Sequence, residues 1–358
     1  MIIFSPGPAN ISERVRKAML AEDICHRDRE FSELLGEIRE DLLRIAGVWE
    51  GYEGVVFSGS GTLAIESCLS ALSGWNRKVL VISNGVYGER AAEISRLYRT
   101  PIQEMRLPWG DSLDLNEVES RLRQDMFGAV YLVHHETTTG LLNPLPEIAA
   151  IARRNSRMVL VDGVSSIAGE EIDLEGWGVD LITGSANKCI RGVPGASFAL
   201  VSRRFVREAE RCRGSVYYAD LLRHLKEEQK GQTPFTPAVQ VFYAFREALR
   251  ETLEQGVDER IRRYGIISGM LRKGLRSMGL EFYIPEQSMS NTMTTVRLPQ
   301  GYDYEILHKG CRQGGYVIYA SQGDLFKSTF RLGTVGLISK GDIEGFLNLL
   351  KSLVNLFH

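Results

Sequence analysis

The sequence predicts an α/β fold, in which a large domain with a mostly parallel sheet precedes a smaller C-terminal α+β domain. Three observations lead there. Between about residues 55 and 205, short apolar runs rich in β-branched residues alternate with segments of helical spacing, the pattern of a sheet with right-handed crossovers. The strand-like runs are apolar throughout rather than at every second position, as strands covered on both faces are. After about residue 205 the rhythm changes to two long helical patterns followed by short strands.

Along the chain, Phe31, Leu34, Leu35, Ile38, Leu42 and Ile45 recur at helical spacing and predict a helix over 31–46. VVFSG (55–59) reads as a strand and TLAIESCLSAL (62–72) as the helix behind it. KVLVIS (78–83) is the next strand, with a helix over 88–98. Asp114 is placed to cap a helix over 115–123, AVYLVH (129–134) is a strand, and a helix follows over 145–154. MVLVDG (158–163), DLITGS (180–185) and ASFALVS (196–202) complete the series and read as parallel strands. Helical patterns then cover 238–253 and 258–278, strands cover 293–298, 316–319 and 329–333, and a helix over 341–356 closes the chain. GQTPFTP (231–237), with two prolines, reads as a non-helical connector. The expected divisions are an N-terminal segment over 1–15, a large domain over 16–245 and a small domain over 246–358.

The chain has 358 residues, 44% of them hydrophobic and 25% charged, with a formal net charge of −2. That is enough length for a core without staples, and no concentrated basic face marks a nucleic-acid binder. Cys25, Cys68, Cys189, Cys212 and Cys311 are scattered and never spaced C-x-x-C, which argues against a disulfide framework and a zinc site. No metal is expected. No apolar run reaches the ~18 residues of a membrane span, and the start MIIFSPGPAN lacks a signal peptide's basic and apolar regions. A soluble, cytoplasmic protein without nucleic-acid or membrane partners is the expectation.

Four strand ends carry chemistry. In VVFSGSGTLAIES a strand runs through Ser58, Gly59, Ser60, Gly61 and Thr62 into a helix. Free N–H groups at the helix start, with the Ser60 and Thr62 hydroxyls, make a phosphate cup; alone, the same residues also describe an ordinary glycine turn. Asp162 ends the apolar strand VLVDG. It is either a cap or metal ligand, or a carboxylate keeping a pyridinium nitrogen protonated. Lys188, in SANKCIRGVPG, follows the next strand, so both side chains can enter one crevice, where a partly dry lysine amine can attack an aldehyde. In HHETTTGLLNP, Thr137 is a candidate to hydrogen-bond a cofactor, or part of a capped loop. His134 and His135 are adjacent, face opposite sides of a strand and receive no role. Tyr87 in NGVYGER stacks on an aromatic cofactor or belongs to the core. Arg331 in FRLGTVG can grip a carboxylate bidentately from the small domain. A nucleotide-binding module built on the Ser58–Thr62 turn is the non-enzymatic alternative, but it leaves Lys188 and Asp162 without work.

From SPGPANIS through HRDREF, SGSGT, NGVYGER, HHETTTGLLNP, VDGVSS, SANKCIRGVPG and FTP to FRLGTVG, the sequence resembles the class V aminotransferases of fold-type I, dependent on pyridoxal 5'-phosphate. Within them it is most similar to the branch that transaminates 2-aminoethylphosphonate with pyruvate. The resemblance implies that Lys188 bonds the cofactor aldehyde and shuttles the proton, while Asp162 holds the ring nitrogen. It implies that Ser60, Gly61 and Thr62 bind the phosphate, with Asn187 nearby and Thr236 reaching in from a second subunit. Tyr87 lies over the ring, Thr137 contacts the cofactor, and Arg331 binds the carboxylate of pyruvate or alanine. The implied partners are small amino and 2-oxo substrates and a second copy of the chain, as a homodimer. The alternative is an alanine or serine aminotransferase using glyoxylate or pyruvate, which needs only one anion clamp. Gly184, before SANK, and Gln322 depart from the phosphonate branch's pattern.

Overall fold

The computed structural model describes residues 1–355 apart from 213, 215 and 300. Seven strands form the main sheet: β1 (Tyr52–Ser58), β2 (Lys78–Ser83), β3 (Ile102–Arg106), β4 (Phe127–Val133), β5 (Met158–Asp162), β6 (Leu181–Ser185) and β7 (Ala196–Ser202). Their order across the sheet is β1-β7-β6-β5-β4-β2-β3. Successive side chains of each strand enter opposite faces, and both faces are covered. Val56, Leu80, Val130, Val159 and Phe198 belong to one buried core, and Val55, Val79, Ala129, Leu160 and Ala199 to the other. Double coverage is why these strands read as unbroken apolar runs.

The sheet is mostly parallel, with one correction to the sequence reading. β7 is antiparallel to both neighbours, β1 and β6. Burial on two faces does not report direction; the connection does. Only residues 186–195 join β6 to β7, and a parallel return needs a crossover of a dozen or more residues. The outer strand β3 was missed because IQEMR is largely polar and only its Met105 is buried. At the other edge, β1 is sealed by side chains: buried Glu228 accepts from the Val56 N–H, and Arg39 Nε donates to the Gly54 carbonyl at 2.8 Å. Such sealing removes the hazard of an open edge.

The helices are α1 (Arg29–Ile45), α2 (Gly61–Ser70), α3 (Val86–Leu97), α4 (Leu115–Leu122), α5 (Leu145–Arg154), α6 (Arg203–Glu210), α7 (Leu221–Glu228), α8 (Val239–Gln255) and α9 (Val257–Ser277), leaving aside two short helices at Glu13–Ala18 and Leu174–Trp177. Asp114 caps α4, its side chain accepting from the Asn116 N–H at 2.9 Å. Helices α6 and α7 were not foreseen; their sequences are mostly charged, with narrow buried faces such as Phe205 and Ala209.

A three-stranded antiparallel sheet follows, made of β8 (Met293–Arg297), β9 (Tyr319–Ala320) and β10 (Thr329–Gly333), with β10 in the middle. Helix α10 (Tyr304–Gln313) and the final helix α11 (Lys340–Asn355) pack with it. The expected last residue of that helix, 356, lies outside the described residues, as do 357 and 358. A third core gathers Leu271 and Leu275 of α9, Phe330 and Leu332 of β10, and Phe346 of α11. Phe4 joins it from the chain start, where Ile2–Ile3 pair with Tyr316–Val317. Gly333 permits this: a Cβ there would stand 2.2 Å from the Ser5 carbonyl oxygen. Among the described residues no helix is long and apolar enough to cross a membrane.

Candidate active site

The carboxyl ends of β2, β4, β5 and β6 open on one cavity, where ligands of an open α/β sheet collect. Ser60, Gly61, Thr62, Tyr87, Asp162, Asn187 and Lys188 all line it. Helix α2 starts there. Its cap residue Ser60 makes no side-chain capping bond, and the N–H groups of Gly61 and Thr62 have no acceptor among the described residues. A Cβ on Gly61 would lie 2.8 Å from Val164 Cγ2, so only glycine keeps this turn against the neighbouring loop. The buried Ser185 hydroxyl, also on the cavity wall, has no hydrogen-bond partner among the described residues. Uncapped N–H groups, a helix's positive end and an unsatisfied hydroxyl together suit an anion with several acceptor oxygens, such as a phosphate.

Asp162 ends β5 and lies beside β6, with Thr183 as its register partner. It accepts from the Val164 N–H at 2.9 Å and, among the described residues, is the one carboxylate on the cavity wall. Burial pushes its carboxyl up to about 6, against the opposing pull of that N–H, Lys188 and Arg90. A cationic ring nitrogen beside it would relieve this cost. Lys188 leaves the turn after β6 and donates from Nζ to the Pro6 carbonyl at 2.9 Å. Burial lowers its amine to about 8; Cys189 and Asp162 oppose this, and Arg331 and Arg90 reinforce it. The amine is therefore much closer to its nucleophilic neutral form than an ordinary lysine. Gly7 packs against it, since a Cβ at Gly7 would stand 2.8 Å from Nζ. Thus the pocket's geometry fits a flat aldehyde-bearing ring with a phosphate arm and a basic ring nitrogen.

The other expected residues are placed as follows. Tyr87 lines the cavity on α3. Thr137 does not; its backbone carbonyl instead accepts from Arg331 Nη1 at 2.8 Å. Arg331, on the central strand β10, also donates to the Ala320 carbonyl from Nε and Nη2 and is 1% exposed. Thr236 is exposed and does not reach this cavity. Gly184 has a local cause: it faces Phe198 across β6 and β7, and a Cβ would lie 2.2 Å from the ring's Cζ.

Besides Ser185, further residues around the site were not anticipated. Arg90 lines the cavity one helical turn after Tyr87, with its guanidinium 4.8 Å from that ring and 3.4 Å from the Thr62 hydroxyl. The i, i+3 spacing from Tyr87 was the signal that could have found it. His135 also faces the cavity. Its Nδ1 lies 3.1 Å from the Ser165 carbonyl, which can only accept, so Nδ1 carries the hydrogen and Nε2 accepts from the Ser290 hydroxyl at 2.7 Å. Burial keeps this imidazole neutral, with its value lowered to about 3. Glu136 caps α3, where the cap residue is a glycine, accepting from the Tyr87 and Gly88 N–H groups. Thr138 completes the cap by accepting from the Val86 N–H at 3.0 Å. The capped-loop reading of ETTTG therefore describes Glu136 and Thr138, and the cap orients the helix that presents Tyr87 and Arg90.

Comparison with known proteins gives this geometry a context. The family model described as aminotransferase class-V matches residues 4–323. A 2-aminoethylphosphonate–pyruvate transaminase of Vibrio vulnificus (strain YJ016) is 34% identical, over 98% of this chain and 96% of the relative. The crystal structure of an alanine–glyoxylate aminotransferase from Nostoc sp. superimposes with a TM-score of 0.92 at 27% identity, covering 99% of this chain and 95% of that one. A Thermus thermophilus aspartate aminotransferase, covered in full by and covering all of this chain, gives 0.91 at 28% identity.

Proposed function

Since the chain belongs to the class V aminotransferases, we propose that it moves the amino group of 2-aminoethylphosphonate to pyruvate, giving phosphonoacetaldehyde and L-alanine. It is a pyridoxal 5'-phosphate-dependent enzyme of small amino and oxo substrates. When bound, that cofactor supplies an aldehyde for the amino group and a ring that draws electrons from the substrate's Cα–H bond.

The chain's own residues supply the rest. Lys188 would hold the cofactor by its aldehyde, and its amine would carry a proton to and from the substrate's reacting carbon. Asp162 holds the proton of the ring nitrogen by charge pairing. Ser60, Gly61 and Thr62 bind the phosphate with the α2 N–H groups, joined by Asn187 and the otherwise unpartnered Ser185 hydroxyl. Tyr87, on the cavity wall, would offer its ring to the cofactor. Arg331 receives the carboxylate of pyruvate or alanine, and the Thr137 carbonyl helps to aim its guanidinium. The single observation carrying this reading is one cavity holding a depressed lysine amine, one carboxylate and an uncapped helix start.

The proposal includes a homodimer in which Thr236 serves the other subunit's phosphate. Its support is a surface where exposed Tyr217 and Tyr218 pack on Phe235, next to Thr236. All five cysteines are unpaired, which supports a reducing compartment such as the cytoplasm. The likeness to the alanine–glyoxylate enzyme supports a second reading, an alanine or serine donor with glyoxylate or pyruvate.

Half-reactions separate the two. Under the first reading, 2-aminoethylphosphonate bleaches the cofactor–lysine absorbance and pyruvate restores it. Bleaching by alanine and serine alone would assign the second. Lys188→Ala is expected to stay folded and lose turnover, and borohydride reduction with peptide mapping should find the adduct on Lys188. An adduct elsewhere refutes the site.

A further inference from the structure

Immediately after Lys188 the chain makes a tight turn. The Arg191 N–H bonds the Lys188 carbonyl at 2.9 Å, the Gly192 N–H bonds the Ala186 carbonyl at 2.7 Å, and Arg191 sits at φ 66°. Left-handed backbone is costly for a non-glycine residue, so the surroundings must enforce it. Helix α9 does so. Arg260 Nη1 donates to the carbonyls of Cys189 and Ile190, both at 3.1 Å, and to the Thr252 hydroxyl at 2.8 Å. One turn on, the Tyr264 hydroxyl donates to the Cys189 carbonyl at 3.2 Å and accepts from Arg191 Nε at 2.8 Å.

Two features set this apart from ordinary packing. Arg260 is 1% exposed and has no carboxylate within ion-pair distance among the described residues; its Nε donates to the Gln255 side chain at 2.9 Å, and its Nη1 is directed at the backbone carbonyls of the lysine loop and the Thr252 hydroxyl. A buried guanidinium without a carboxylate is an expensive way to tie down a turn that apolar packing could hold. In addition, α9 spans two cores: Tyr264 lies in the core beneath the main sheet, and Ile267, Leu271 and Leu275 lie in the core of the small sheet. The Tyr264 hydroxyl also meets the Gly336 N–H at 3.5 Å, three residues beyond β10, the strand of Arg331.

We propose that Arg260 and Tyr264 are positioning residues that fix the peptide groups after Lys188, and so hold its amine in line for bonding the cofactor and moving the proton. This rests on the reading of Lys188 as the cofactor-bonding lysine. The groups acting on the amine itself are the Pro6 carbonyl, which accepts from it, and the charged or titratable Asp162, Cys189, Arg331 and Arg90; Arg260 and Tyr264 act only through the backbone.

The test uses Arg260→Lys, which keeps the charge but loses the Nε bond to Gln255 that helps to aim the donor at the two carbonyls, and Tyr264→Phe, which keeps the ring. In the apoprotein, the pH dependence of Lys188 reductive methylation, read by mass spectrometry, reports the amine directly. Both variants should shift its midpoint upward by about half a unit or more, a roughly threefold change in neutral fraction. In the loaded enzyme, kcat should fall about tenfold with KM for the amino donor little changed, and deuterium at the substrate's reacting carbon should slow turnover more than in wild type. Native circular dichroism with unshifted midpoints, unchanged kcat and an unchanged isotope effect in both variants overturns the positioning role. An adduct mapped away from Lys188 overturns the reading of the lysine, and this role with it.

Discussion

Gly7→Ala tests whether the chain start is part of the lysine's environment. The added Cβ would stand 2.7 Å from Lys188 Cδ, 2.8 Å from Nζ and 2.9 Å from Cε. Ordinary carbon contacts are about 3.5–4.0 Å, so something must move by roughly 1 Å. The segment is held on both sides: Ile2–Ile3 pair with Tyr316–Val317, and Asn10 bridges to Gly336 and accepts from the Ile3 N–H at 3.2 Å. The flexible lysine is therefore the part that yields, and its bond to the Pro6 carbonyl goes with it. Displacing a reacting group by ~1 Å costs about 100-fold in rate, or roughly 2.7 kcal/mol of barrier. Gly7 also sits at φ 142°, where alanine costs roughly 1–3 kcal/mol. Steady-state kcat/KM for the preferred amino donor should thus drop on the order of 100-fold, and urea unfolding should show a loss of about 1–3 kcal/mol. Gly279→Ala is the control: it has φ 75° with nothing within 4 Å of the new Cβ, so it should lose stability and keep its rate. Wild-type kcat/KM in natively folded Gly7→Ala protein would refute the reasoning.

Asp162→Asn should change the pH dependence of apoprotein stability. The folded carboxyl titrates at about 6 against an ordinary 3.8, so the native state keeps a proton that the unfolded chain releases, and stability falls as pH rises from about 4 to about 6. The variant lacks this fall, gaining on wild type by an amount on the order of 3 kcal/mol across that window; parallel urea-unfolding midpoints from pH 4.5 to 7 would count against it. Gly184→Ser should destabilise by roughly 1–3 kcal/mol or more through overpacking against Phe198, with partial recovery in the double variant carrying Phe198→Ala; additive losses in the four-member cycle would remove Phe198 as the cause.

The site residues that could be read from the sequence are those at the ends of apolar strands. Asp162 and Lys188 stand out because a charged residue closing a buried run must have a use, and the parallel pairing of β5 with β6 brings them to one crevice. What escaped depended on partners far along the chain. Ser185 looks like any strand serine until its hydroxyl is found without a partner. Arg90 looks like a surface cation on a charged helix until the cap by Glu136 sets that helix's direction. The direction of β7 was recoverable, since the linker over 186–195 is too short for a crossover, but apolar composition alone does not carry direction. The contact of Thr137 with Arg331 was not legible because it is made by the backbone carbonyl, which every residue type possesses.

Contacts across the chain show why the three-stranded sheet cannot be treated as an appendage to the lysine. Gly333 makes room for Ser5 and Gly336 for Asn10, while Gly7 makes room for Lys188. The lysine's amine is thus bonded to a segment, at Pro6, that is itself seated on the end of β10. From behind, the Tyr264 hydroxyl joins the loop after Lys188 to the loop after β10. Two routes therefore run from Lys188 to the small sheet, one in front of the amine and one beneath its peptide. Loosening the Thr329–Gly333 strand should therefore disturb the bond from the Lys188 amine to Pro6 before the main sheet opens, which chemical labelling of Lys188 beside hydrogen exchange would check. The glycines of FRLGTVG mark where the other end of the chain must pass within contact distance of the strand.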